Sequence, residues 1–69
     1  MPRGAGPGRW LDHDRDVFPV NTRVRFLLGE WRWGFYKGYH ALRGLHFVSS
    51  KRYGKAGWLV PAGFLWKAK

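Results

Sequence analysis

From Val20 onward, glycine or proline recurs at positions 29, 34, 38, 44, 54, 57, 61 and 63, and no stretch free of both exceeds nine residues. A glycine inside a helix costs ~1 kcal/mol and a proline ~3 kcal/mol. Punctuation this dense disfavours a helical bundle. The intervals suit short strands instead: Thr22–Leu28, Trp31–Tyr39, Leu45–Ser50, Trp58–Val60 and Phe64–Trp66. Each is rich in aromatic and aliphatic residues, as strands are. Gly34 and Gly38 are candidates for bulges or bends within the second strand. Pro61-Ala-Gly63 reads as a tight turn before the last strand, His40–Gly44 as a connection, and Lys51–Gly57 as a basic loop.

The first two strands meet at Gly29-Glu30. A two-residue turn with glycine at its first central position is a common hairpin tip. It would set Leu28 opposite Trp31, Phe26 opposite Trp33 and Val24 opposite Phe35. These six would share one apolar side, because strand side chains alternate. The other side would carry Arg23, Arg25, Leu27, Arg32, Gly34 and Tyr36. In the third strand, Leu45 and Phe47 lie on one face and His46 and Val48 on the other. The expected core is Val24, Phe26, Trp33, Phe35 and Phe47.

With 69 residues the chain forms one domain at most and buries about 60% of its unfolded surface. It has no cysteine, so no disulfide helps. Five Trp, five Phe and three Tyr must supply the burial, yet they are more than a domain of this size can enclose. Some of them, among Tyr36, Tyr39, Tyr53, Trp58 and Trp66, are therefore expected at the surface. There they would stack on bases or fill a protein interface.

The net charge is +9. Residues 1–19 are neutral, with Arg3, Arg9 and Arg15 against Asp12, Asp14 and Asp16. Residues 20–69 carry ten basic side chains against Glu30 alone. The excess thus belongs to the expected folded part and calls for an anionic partner. Residues 1–19 are expected to form a flexible arm, with three glycines and two prolines in the first nine positions. A short helical turn fits near Asp12, stopped by Pro19. Trp10, Leu11 and Phe18 are placed to fold back over an open barrel end. No signal peptide or membrane span is visible, and a cytoplasmic location is expected.

Catalytic patterns are not met. Asp12-His-Asp-Arg-Asp16 lacks the glycine and glutamate of a calcium loop, since Val17 and Arg23 stand there. It is expected as a solvated stretch against the chain's own arginines. His13, His40 and His46 have no metal-ligand spacing. Gly54-Lys55 is followed by Ala56, not the serine or threonine of a phosphate loop. Ser49 and Ser50 lack a positioned base. Neither enzyme activity, metal nor cofactor is expected.

Thr22-Arg-Val-Arg-Phe26, Gly29-Glu-Trp-Arg-Trp-Gly34 and Gly57-Trp-Leu-Val-Pro61-Ala-Gly-Phe-Leu65 resemble the SH3-like barrel superfold in its Tudor and KOW-like form. The resemblance covers roughly residues 22–66. It implies an all-β, five-stranded small barrel over residues 20–69 behind the N-terminal tail. Arg23-Val-Arg25, Gly29, Gly34 and Gly38 are also spaced as in type II dihydrofolate reductase barrels. Their Val-Gln-Ile-Tyr strand is replaced here by Gly57-Trp-Leu-Val60, so that activity is not carried over.

The expected function is a basic nucleic-acid-binding module of weak sequence specificity, for DNA or RNA. Arg23, Arg25, Arg32 and Lys37 would meet phosphates from one sheet face. Lys51, Arg52 and Lys55 would do so from the loop, and Tyr36 and Tyr53 would stack. The alternative is a phage-type inhibitor or adaptor, docking on an acidic surface of a larger nucleic-acid enzyme. No membrane partner is expected, and the protein would be a monomer or small homo-oligomer.

Overall fold

The computed structural model describes residues 11–54 and 56–68. Five strands form one antiparallel sheet: β1 (Arg23–Leu28), β2 (Glu30–His40), β3 (Leu45–Ser49), β4 (Gly57–Val60) and β5 (Leu65–Lys67). Their order across the sheet is β4-β3-β2-β1-β5. Two short 3₁₀ turns complete the described elements, at His13–Arg15 and Ala62–Phe64. The architecture is all-β, and each strand lies within about a residue or two of its expected place.

β2 is long because it serves two partners. Its first half pairs with β1 and its second half with β3, with a register shift between Tyr36 and Gly38. The sheet curls at this point. Phe26 on β1 and Trp58 on β4 are separated by two intervening strands, yet their ring centroids are 5.1 Å apart. Val24, Phe26, Tyr36, Val48, Val60 and Leu65 are buried in the enclosed core, and Phe18, Leu28 and Trp58 pack against it. The arrangement is compatible with a small β-barrel. Among the described residues no helix is long and apolar enough to cross a membrane.

The hairpin register corrects the expected one. The ladder is centred on Gly29, with Leu27 opposite Trp31, Phe26 opposite Arg32, Arg25 opposite Trp33, Val24 opposite Gly34 and Arg23 opposite Phe35. Gly29 has φ +75, so glycine is the natural residue at the tip. The slip of one residue exchanges the faces of β2. Trp33 and Phe35 are thereby removed from the expected core and share a side with Arg23 and Arg25. Arg32, Gly34 and Tyr36 turn inward. The cause is steric: a Cβ at position 34 would stand 2.7 Å from both the Ser49 carbonyl oxygen and Val48 Cγ1. Only glycine fits there, which fixes the parity of the strand. On β3 the inward pair is His46 and Val48, both buried, whereas Leu45 and Phe47 are half-buried.

Residues 11–18 lie against the sheet. Leu11 bridges to His40, and the Asp12 amide donates to the Tyr39 carbonyl at 2.8 Å. Asp12 caps the first 3₁₀ turn by accepting from the Asp14 amide. Asp16 is more than a solvated acid. It accepts from the Tyr39 amide at 3.0 Å and lies 2.7 Å from His13 Nδ1. Phe18 meets Tyr36 edge-on at 5.5 Å. Trp10 and the rest of the N-terminal arm lie outside the described residues.

Candidate nucleic-acid interface

Alternation along β1 sends Val24 and Phe26 into the core and Arg23 and Arg25 into solvent. Arg25 is flanked in register by Trp33 on β2 and Trp66 on β5. Arg23 is opposite Phe35. Both guanidiniums lean toward the hairpin tip, across the diagonal. The Arg25 Cζ lies 5.0 Å from the Trp31 ring centroid and the Arg23 Cζ 5.5 Å from that of Trp33. Trp31 and Trp66 are in contact, with centroids 5.3 Å apart. At the far end Arg52 lies 5.4 Å from the Phe35 ring. Cations and rings therefore alternate over one face of β1, β2 and β5.

This face is wet. Trp31 and Trp33 are each 53% exposed and Trp66 is 40% exposed. An exposed cation–π contact is worth only ~0.5–1 kcal/mol. Fully burying a large apolar side chain is worth ~1.5–3 kcal/mol. The arginines do not compensate for leaving three indoles in water.

Among the described residues no acid pairs with Arg23, Arg25 or Arg52. Asp12, Asp14 and Asp16 belong to the 3₁₀ segment, where Asp12 and Arg15 pair at 3.6 Å. Glu30 pairs with Arg32 at 3.2 Å.

The expected site residues divide into three groups. Arg23, Arg25 and Arg52 are exposed on the aromatic face or at its margin. Lys51 and Tyr53 are exposed in the loop, Tyr53 at 89%, while Lys55 lies outside the described residues. Arg32, Tyr36 and Lys37 are placed otherwise. Arg32 lies 5.6 Å from the Trp58 ring, donates to the Leu28 carbonyl and faces away from Arg23 and Arg25. Tyr36 is fully buried, so its ring is closed to a base. Its hydroxyl accepts from the Val17 amide at 3.1 Å and lies 2.7 Å from His46 Nδ1. Burial raises the Tyr36 pKa and lowers that of His46.

Lys37 has a different task. Its ammonium donates to Asn21 Oδ1 and to the Arg52 carbonyl, tying the basic loop to β2. Burial, then the charge of Arg52, lowers its pKa. Ser49 holds the same loop from below. Its hydroxyl is 3.1 Å from the Gly54 carbonyl and 3.0 Å from that of Ala56. Lys37 and Ser49 thus place Arg52 beside Phe35.

Trp31, Trp33 and Phe35 are the site residues that sequence reasoning sent elsewhere. The available signal was Gly34: once it faces inward, both its neighbours face outward. The chain matches no known protein family, no curated protein and no solved structure.

Proposed function

We propose that this protein is a nucleic-acid-binding module without catalysis, built on an SH3-like barrel. Two features support the fold reading: β1 sits between β2 and β5, and a 3₁₀ turn follows Pro61 just before the closing strand. The observation that carries the function is the face where Arg23, Arg25 and Arg52 alternate with exposed or half-buried aromatic rings and, among the described residues, pair with no acid. Guanidiniums meet phosphates and rings meet bases, so one surface satisfies both parts of a nucleotide. Phosphate contacts carry no sequence information, and specificity is weak.

Salt titration tests the reading. Binding to random DNA or RNA should be micromolar and should weaken as salt rises. In the combined Arg23→Ala, Arg25→Ala, Arg52→Ala variant, the slope of log K against log salt should flatten by about 2.1 on a single strand (three times ~0.7). On a duplex it should flatten by about 2.7 (three times ~0.9). Arg32→Ala should leave the slope unchanged. An unaltered slope in the triple variant removes this face from the binding surface. Silence with every nucleic acid at low salt would favour the acidic protein surface instead.

A further inference from the structure

Resting on the nucleic-acid reading, we infer that the ligand of this face is a single strand. Two or three of its unpaired bases stack on Trp31, Trp33 and Trp66, while Arg23, Arg25 and Arg52 take its phosphates.

Spacing is the first ground. Trp31 and Trp33 are two residues apart on one strand and share a face, which sets their backbones about 6.8 Å apart (two times ~3.4 Å). Stacked bases in a duplex advance ~3.4 Å per step. A paired helix therefore cannot present successive bases to both indoles. An extended strand with splayed bases can.

Ring accessibility is the second ground. About half of each of these indoles is in solvent, and Trp66 borders Trp31 at 5.3 Å. Exposed ring faces are useful only to a base whose own face is open, and inside a duplex it is not.

The hairpin tip is the third ground. Glu30 stands exposed there, beside Gly29. Its ion pair with Arg32 leaves the tip without net positive charge, so the tip offers nothing to the phosphates that line a duplex groove. A strand lying flat across β5, β1 and β2 avoids the tip.

The arginines then have two positions. Without ligand, Arg25 lies against Trp31 and Arg23 against Trp33. Base stacking on an aromatic ring is stronger than an exposed cation–π contact. An incoming base displaces the guanidinium, which turns to the adjacent phosphate.

Three probes test this with the full chain: an oligothymidylate of about 12 nucleotides, a duplex of the same length, and an abasic strand of the same length. The length lies within the ~4–16 nucleotides a small single-strand-binding barrel covers. The thymidylate should quench tryptophan fluorescence and bind at least ~10-fold more tightly than the other two. Trp33→Ala should weaken thymidylate binding by roughly 5- to 150-fold and leave the abasic strand unaffected. Trp33→Phe, which keeps a ring, should retain most of the affinity and shows that the site still folds. If all three probes bind alike and Trp33→Ala is neutral, nucleic-acid binding stands and the single-strand inference falls. Tighter binding of the duplex also overturns it. If no probe binds at low salt, the underlying nucleic-acid reading falls as well.

Discussion

A methyl group on Gly34 has nowhere to go. One of its two neighbours at 2.7 Å is the Ser49 carbonyl, held where Ser49 pairs with Phe35 between β2 and β3. The other is Val48, fully buried in the core. Gly34→Ala should therefore lose about 1–3 kcal/mol of stability through overpacking. Gly29 is the opposite case. A Cβ there meets nothing within 4 Å, but φ is +75. Gly29→Ala should lose ~1–2 kcal/mol through the left-handed backbone alone. Asparagine separates the two causes, because it tolerates the left-handed region but still carries a Cβ. In urea unfolding, Gly29→Asn should recover most of the alanine loss and Gly34→Asn should recover none. Equal recovery at both sites would show that sterics do not fix the parity of β2.

That parity governs what was legible at the level of elements. Strand positions followed from the Gly and Pro breaks together with apolar runs, and all five strands could be read from them. The faces of β2 could not. Trp31, Trp33 and Phe35 form a more hydrophobic set than Arg32, Gly34 and Tyr36, so hydropathy alone turns the aromatic set inward. Two long-range facts reverse it: the close approach of β3 at Gly34, and the burial of Tyr36 with a polar partner on β3. Its hydroxyl accepts from the Val17 amide and is thereby aligned to donate to His46 Nδ1, 2.7 Å away. The 11–18 segment is thus tied to a titratable group. Around His46 stand the Tyr36 hydroxyl, the Tyr39 ring with its centroid at 5.2 Å, and the carboxylate of Asp16, which itself holds His13. Burial lowers the His46 pKa, and Asp16 only partly opposes this. The unfolded chain then takes up the proton first as pH falls from about 6.5. Stability from this group is complete above about pH 6.5 and is lost on acidification, until the folded-state pKa is passed. Protonation also makes Nδ1 a donor and removes it as an acceptor for the tyrosine proton. Melting temperature should fall between pH 7.5 and 5, and His46→Phe should make that fall shallower. An identical pH slope in the variant would show that His46 is not the group that titrates.

For the molecule as a whole, a charge of +9 on 69 residues sets two salt dependences against each other. Self-repulsion opposes folding and is screened as the Debye length shortens from ~30 Å at 0.01 M to ~8 Å at 0.15 M. The described core holds only six buried apolar side chains. A domain of this length has about 3–10 kcal/mol of stability at ~0.05–0.15 kcal/mol per residue. Relief of repulsion is therefore a visible share of the total, and melting temperature should rise with added sodium chloride over that range. The proposed nucleic-acid binding should move the other way, because each phosphate neutralised releases counterions whose return salt favours. One salt series measured by thermal melting and by nucleic-acid titration should give curves of opposite sign. The Arg23→Ala, Arg25→Ala, Arg52→Ala variant should flatten both together. These arginines contribute to the repulsion as well as to the proposed phosphate contacts. Their exposed cation–π contacts return only ~0.5–1 kcal/mol each to the fold. If the variant lost binding but kept the full salt dependence of melting, the repulsion would reside elsewhere, in the loop lysines and Arg43. The aromatic face would then be specialised for ligand at no electrostatic cost to folding.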